Sequence, residues 1–205
     1  MAEICGIPVL ARTLIAFQNH PEIDQIIISA REDMIIPYAD LASTFGITKL
    51  SHVTAGGADR LESVYKGVLA SDEDTDIILV HDGARPLVSC EVISRVIEGV
   101  KEHDCAAAAV SAKDTLRLFD ESGRKCTLIP REMVRAMQTP QGAIRPLLLK
   151  ALSYCIENKI SVTDDCAALE AIGCSFILTE GSFSNIKITT AEDLVLAEGF
   201  LTEEK

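Results

Sequence analysis

Apolar positions along the chain switch between two spacings, and the switching outlines alternating strands and helices. Ile77-Ile78-Leu79-Val80 is a run of four apolar residues, three of them β-branched, and reads as a strand buried on both faces, as in a parallel sheet. Over residues 7–19, Leu10, Leu14 and Phe17 recur at helical spacing, with Pro8 suited to a first turn and His20-Pro21 as a stop. Residues 23–29 predict a β-branched strand and residues 31–45 a helix, with Pro37 marking its start or an interruption. A weaker strand at about 49–53 leads to a helix over 61–70, where Leu61, Val64, Val68 and Leu69 share one face. Beyond Val80 come a helix over 91–102 and a small-residue strand over 105–110.

Residues 111–137 break this rhythm. Leu116-Arg117-Leu118-Phe119, then Asp120-Glu121-Ser122-Gly123, then Lys125-Cys126-Thr127-Leu128-Ile129 read as strand, turn and strand. A lone hairpin is marginal in water, so this one packs on a second subunit or covers the chain's own sheet. Thr139-Pro140-Gln141-Gly142 reads as a turn into a helix over 146–158, striped by Leu148, Leu149, Leu152 and Ile156. Val162-Thr163-Asp164-Asp165 caps a helix over 166–172, and capping accounts for one of the two aspartates. Strands over 175–179 and 184–188 follow, the second bearing Lys187 among apolar neighbours. Thr190 then caps a last helix reaching about residue 201. The alternation predicts an α/β fold with a mostly parallel sheet, helices on both faces and an inserted hairpin arm at about 112–135.

Composition narrows the function. A length of 205 residues suits a single domain over 1–205, and 48% apolar with 24% charged residues is ordinary for a globular protein. A net charge of −12 argues against nucleic acid or an anionic membrane as partner, so an anionic substrate needs a locally basic pocket or a metal. The seven cysteines are odd in number and form no CxxC pair, which fits neither zinc nor a disulfide framework. No apolar run approaches the roughly 20 residues of a membrane span, and a reducing cytoplasm is the expected location.

Three places carry candidate chemistry. Asp82 follows the buried strand at 77–80, and open α/β sheets bind ligands outside the carboxyl ends of their strands. As a plain turn residue, Asp82 would merely cap and pair with Arg85. Gly56-Gly57 precede a helix whose first turn bears Arg60 and Ser63, so backbone and free N–H groups can approach an anion closely; an ordinary loop explains the glycine pair equally well. Lys187 is a single lysine among apolar neighbours, and a lone lysine of this kind reads first as solvated surface.

Taken together, Gly56-Gly57-Ala58-Asp59-Arg60-Leu61-Glu62-Ser63-Val64, Val80-His81-Asp82-Gly83-Ala84-Arg85-Pro86, Gln138-Thr139-Pro140-Gln141-Gly142, Thr163-Asp164-Asp165 and Asn185-Ile186-Lys187-Ile188-Thr189 resemble, in order and spacing, the 2-C-methyl-D-erythritol 4-phosphate cytidylyltransferases. The likeness runs from about residue 3 to about residue 201. It implies a Rossmann-like nucleotidyltransferase fold and transfer of CMP from CTP to methylerythritol phosphate, with release of pyrophosphate, in non-mevalonate isoprenoid synthesis. By position it implies that Gly57, Arg60 and Ser63 hold the nucleotide. Asp82 would lie near a magnesium ion and the sugar phosphate, while Thr139, Thr163 and Lys187 would hold the methylerythritol phosphate and the transferred phosphoryl group. Arg131 would reach the methylerythritol phosphate of a neighbouring subunit in a homodimer formed through the arm.

The likeness also implies a strand in the middle of the sheet and a glycine-rich phosphate loop ahead of Glu3, where this sequence has Met1-Ala2. Two rivals stand beside the main expectation. One is a ribitol 5-phosphate cytidylyltransferase; the other is a non-catalytic dimeric binding protein that keeps the sugar-phosphate half of the site.

Overall fold

The computed structural model describes residues 1–203. In chain order the elements are β1 (Glu3–Ile4), β2 (Ile7–Pro8), α1 (Val9–Asn19), β3 (Ile26–Ala30), α2 (Ile35–Thr44), β4 (Leu50–Ala55), α3 (Arg60–Leu69), β5 (Ile77–Val80), α4 (Cys90–His103), β6 (Cys105–Ser111), β7 (Leu116–Phe119), β8 (Cys126–Ile129), β9 (Arg135–Ile144), α5 (Arg145–Glu157), α6 (Asp165–Ala171), β10 (Ile177–Glu180) and α7 (Ala191–Glu203). Most boundaries fall within a few residues of the sequence expectation, and the β7–β8 hairpin matches it except that β8 starts at Cys126 rather than Lys125, with Leu116 opposite Ile129.

The main sheet has the order β10-β6-β9-β5. Strands β6 and β10 are parallel, while β9 runs antiparallel to both β5 and β6, so three of these four strands point the same way. A parallel pair, β3–β4, forms a separate ribbon. Between β3 and β5 lies a cavity of about 1200 Å³, lined by residues that include Phe17, Ile26, Ile28, Ile77 and Leu79. The β3–β4 pair is not hydrogen-bonded to β5.

Each face of the sheet is covered by a helix layer that the apolar spacing foretells. On one face, α4 buries Val92, Ile93, Val96, Ile97 and Val100 against the small side chains of β6. On the other, Leu148, Ala151, Leu152 and Cys155 of α5 pack with Leu61 and Val68 of α3 and with Ala168 and Leu169 of α6. Helix α4 lies so close to β6 and β10 that a Cβ on Gly99 would sit 2.8 Å from Ala106 Cβ and 3.1 Å from Ile177 Cδ1. Gly99→Val should therefore overpack this layer and cost about 1–3 kcal/mol. A thermal melt should show a lower Tm, by about 2–4 °C for each kcal/mol.

Three expectations need correction, and one element was not foreseen. Residues 139–142 are not a turn but part of β9, a ten-residue central strand. Pro140 has no N–H for the ladder, and the register shifts between Ala107 and Ala109 so that Gln138, Thr139 and Pro140 leave regular pairing there. Residues 184–188 form no strand; their backbone is held by single bonds instead, such as Ile188 N–H to Ala84 O at 2.8 Å. Helix α2 starts at Ile35, after a 3-10 turn over Glu32–Met34, which places Pro37 in the first helical turn, where its missing N–H costs nothing. The β1–β2 hairpin was not expected; Cys5 (φ 48°) and Gly6 (φ 72°) close it with the paired positive φ angles of a type I′ turn.

Candidate active site

Strand β5 runs directly into His81 and Asp82, and the Asp82 carboxylate is the centre of the charged cluster that results. Its Oδ2 lies 3.2 Å from Lys187 Nζ and 3.1 Å from Arg85 Nε. Arg85 also donates from Nη1 to the carbonyl of buried Asn185 at 2.8 Å. One guanidinium thereby ties the turn after β5 to the segment that carries Lys187. Burial pushes the Asp82 carboxyl up, but Lys187 and Arg85 outweigh it and hold it below the ordinary carboxylate range. The cluster carries one negative and two positive charges, so it presents a net positive patch in an acidic protein. Lys187 is half exposed and its ammonium faces the site.

Below this cluster most polar groups are paired, the buried Asn185 Oδ1 being left without a hydrogen-bond partner. The Asp82 N–H donates to Thr139 Oγ1 at 3.1 Å, and Thr139 Oγ1 lies 3.1 Å from His81 Nδ1. His81 Nε2 donates to the Arg85 carbonyl at 3.1 Å, and the ring packs on Phe17 with centroids 4.8 Å apart. Burial pushes the His81 imidazole down to about 4, so it is neutral at physiological pH. Asn185 donates from Nδ2 to the Thr139 carbonyl at 2.8 Å.

A second cluster lies at the same cavity. Arg60, in the first turn of α3, forms a two-pronged pair with Asp165, at 3.1 and 2.6 Å. Asp165 is 3% exposed and the Arg60 side chain 36%, so the aspartate is enclosed while the guanidinium reaches solvent. The two adjacent aspartates divide their work. Asp164 caps α6, accepting from Ala167 N–H at 2.9 Å, and Asp165 holds Arg60. Gln141 locks this corner, its Oε1 accepting from the N–H groups of Asp165 and Cys166 while its Nε2 donates to Asp164. Arg60, Ser63, His81 and Asp82 line the same cavity.

The glycine pair is structurally constrained. A Cβ on Gly57 would fall 2.1 Å from Glu62 Cβ, so only glycine fits. The Gly57 N–H donates to Ser63 Oγ at 2.9 Å, and Ser63 in turn donates to the Asp59 carbonyl at 2.6 Å. Asp59 caps α3, accepting from Glu62 N–H at 2.9 Å.

A family model described as "IspD: 2-C-methyl-D-erythritol 4-phosphate cytidylyltransferase" matches residues 1–203. The chain belongs to this cytidylyltransferase family. A relative of that name from Clostridium botulinum (strain 657 / Type Ba4) is 40% identical over 199 residues, covering 97% of this chain and 87% of the relative. A "Bifunctional enzyme IspD/IspF" from Desulfotalea psychrophila is 43% identical over 204 residues, where this chain spans 51% of the relative. Among solved structures, the 4-diphosphocytidyl-2C-methyl-D-erythritol synthase of Anaerococcus prevotii superposes with a TM-score of 0.90 at 30% identity, covering 98% of this chain and 88% of that one. The cytidylyltransferase of Thermus thermophilus superposes with a TM-score of 0.81 at 31% identity, covering 98% and 91%.

Within this cytidylyltransferase-family chain, the residues singled out from sequence divide into three groups. Asp82, Lys187 and Thr139 meet in one cluster, and Arg60 and Ser63 line the same cavity, with Gly57 bonded to Ser63. Thr163 is exposed just ahead of the Asp164 cap. Arg131 stands apart at the base of the arm, where its Nη1 donates to the Lys113 carbonyl at 3.1 Å. Sequence reading undervalued Arg85, Asp165, Gln141, Asn185 and His81. All five lie inside the quoted motifs; their polar side chains were the available signal, but only the fold shows which partner each one meets.

Proposed function

We propose that this chain transfers CMP from CTP to 2-C-methyl-D-erythritol 4-phosphate in isoprenoid precursor synthesis, releasing pyrophosphate. The observation that carries this reading is the Asp82–Lys187–Arg85 cluster at the carboxyl end of β5, in a chain of this family. An oxygen of the sugar phosphate attacks the α-phosphorus of CTP, the bond from that phosphorus to the bridging oxygen breaks, and pyrophosphate leaves. No protein nucleophile is needed; the protein's task is to position two anions and neutralise the charge that develops between them. Lys187 and Arg85 supply positive charge, and Asp82 fixes the direction in which each points. Arg60, held by Asp165, adds a cation at the same cavity, with Ser63 and Gly57 shaping the nucleotide side.

Asp82 also suits a magnesium ion, because Lys187 and Arg85 both engage Oδ2 and leave Oδ1 for a hard cation. Among the described residues no cluster of three or more His, Cys, Asp or Glu side chains offers a full cage. Magnesium bound by one carboxylate and substrate phosphates fits that donor set and would neutralise triphosphate charge. Free thiols at all seven cysteines favour a reducing cytoplasm, and no helix among the described residues is long and apolar enough to cross a membrane.

Comparing turnover of CTP with methylerythritol phosphate and with ribitol 5-phosphate tests the substrate. Higher kcat/KM with methylerythritol phosphate is expected, and reaction with ribitol phosphate alone overturns the reading.

The arm supports a homodimer. Leu118, Phe119 and Leu128 are each more than half exposed, and nearby Met133 is 79% exposed. A symmetric partner would cover this surface and bring Arg131 to its neighbour's site. Mixing Arg131→Ala with Lys187→Ala subunits should restore activity, because a mixed dimer holds one site with both defects and one with neither. At random exchange about half the dimers are mixed, giving about a quarter of wild-type activity. Proven heterodimers without recovered activity would rule out action in trans.

A further inference from the structure

The geometry points to His81 as a positioning residue that fixes, through two bonds of opposite sense, the turn presenting Asp82 and Arg85. The inference rests on the proposed phosphate-transfer role of that turn. A carbonyl only accepts, so the 3.1 Å contact with the Arg85 oxygen requires the proton on Nε2. In the neutral ring Nδ1 is then an acceptor, and the hydroxyl 3.1 Å away on Thr139 is its donor. That hydroxyl oxygen in turn accepts the Asp82 N–H. The bonds run in one direction only, from Asp82 N–H to Thr139 and from Thr139 O–H to Nδ1, with Nε2–H continuing to Arg85.

Both ends of this chain of bonds terminate on the same turn, which Arg85 N–H closes onto the Asp82 carbonyl at 3.0 Å. His81 therefore holds the backbone of the residue carrying the carboxylate and of the residue carrying the guanidinium. Phe17 on α1 packs against the imidazole in a tilted contact, with the ring planes 56° apart. Thr139, 4% exposed, has its only hydroxyl hydrogen committed to this ring, so its hydroxyl works as a strut between β9 and the turn. With the turn held, the Asp82 carboxylate stays paired with both Arg85 and Lys187.

Two half-mimics separate this role from simple packing. His81→Asn keeps an acceptor near the Nδ1 position and loses the donor to Arg85; His81→Gln keeps a donor near Nε2 and loses the acceptor for Thr139. Each should lower kcat by about 10–100-fold, the range set by a misplacement of about 1 Å, with KM for CTP changed less than about threefold. Combining His81→Gln with Thr139→Val should cost little more than Thr139→Val alone, since both remove the same bond. Folded variants with wild-type kcat, or full additivity in the double variant, would overturn the proposal.

A nitrogen-resolved NMR spectrum of the unmutated protein reads the tautomer without any variant. A neutral ring protonated at Nε2 is expected at pH 7, and protonation at Nδ1 overturns the proposal. Should the wild-type chain transfer no CMP, the functional reading fails, while the tautomer still decides whether the strut exists.

Discussion

Replacing Lys187 by alanine lowers kcat by about 10²-fold or more while the chain stays folded. That size is expected for loss of one preorganised group aimed at developing charge. Lys187 is 48% exposed and belongs to a segment held by backbone bonds, so its removal takes little packing with it. The substitution also changes Asp82. With Lys187 gone, one of the two cations holding the Asp82 carboxyl down is lost, and its pKa rises. A group whose folded pKa is depressed contributes stability above its unfolded value and loses it as pH falls through the folded value. Wild type should therefore carry an acid-labile contribution from Asp82 that Lys187→Ala lacks in part. Comparison of kcat, circular dichroism and Tm between pH 3 and 7, set about the ordinary aspartate value of 3.8, checks all three statements. An unchanged kcat in the folded variant returns Lys187 to the solvated surface.

Arg60→Ala should damage stability as well as catalysis. Asp165 is enclosed, and burial pushes its carboxyl above the usual range, with Arg60 pulling against that push. Removing one partner of a buried pair costs roughly 3–5 kcal/mol; the exposure of the guanidinium side favours the lower end, about 3 kcal/mol. For a chain of this size that is a fall in Tm of about 6–12 °C. The sign of the pH dependence follows from the raised pKa. Without Arg60 the folded value stands further above the unfolded one, so protonated Asp165 favours the fold at low pH and that benefit is lost as pH rises through the folded value. The Tm deficit relative to wild type should therefore shrink as pH drops from 7 towards 4. Adding Asp165→Asn should recover much of the stability and none of the activity. A deficit that does not depend on pH, or a double variant no more stable than the single, would show that the pair is not what matters.

How much of this was legible in the sequence depended on whether a residue's role was local. The apolar spacing of α4 and α5 and the small residues of β6 outlined both core layers, because burial repeats with helix and strand period. Asp82 stood out because a buried strand ended on it. Thr139-Pro140 misled for a physical reason, since proline in a central strand is tolerated only where the register is irregular, and irregularity has no sequence period. Asp165 could not be told from its neighbour Asp164 by capping alone; the partner that distinguishes them, Arg60, is 105 positions away. Asn185 and Gln141 bond across tens of positions as well, to Thr139 and to the start of α6. Such pairings arise when the sheet folds, and no spacing along the chain announces them.

The central claim is that this cluster directs a sugar phosphate oxygen onto the α-phosphorus of CTP. Methylerythritol phosphate labelled with oxygen-18 on its phosphate, incubated with CTP, magnesium and the chain and followed by phosphorus NMR, tests it most directly. The expected product is the cytidine diphosphate ester of methylerythritol, keeping all of the label, with one labelled oxygen bridging its two phosphorus atoms, alongside an equal amount of unlabelled pyrophosphate. Label in the pyrophosphate, or no product at saturating CTP and magnesium, would contradict it.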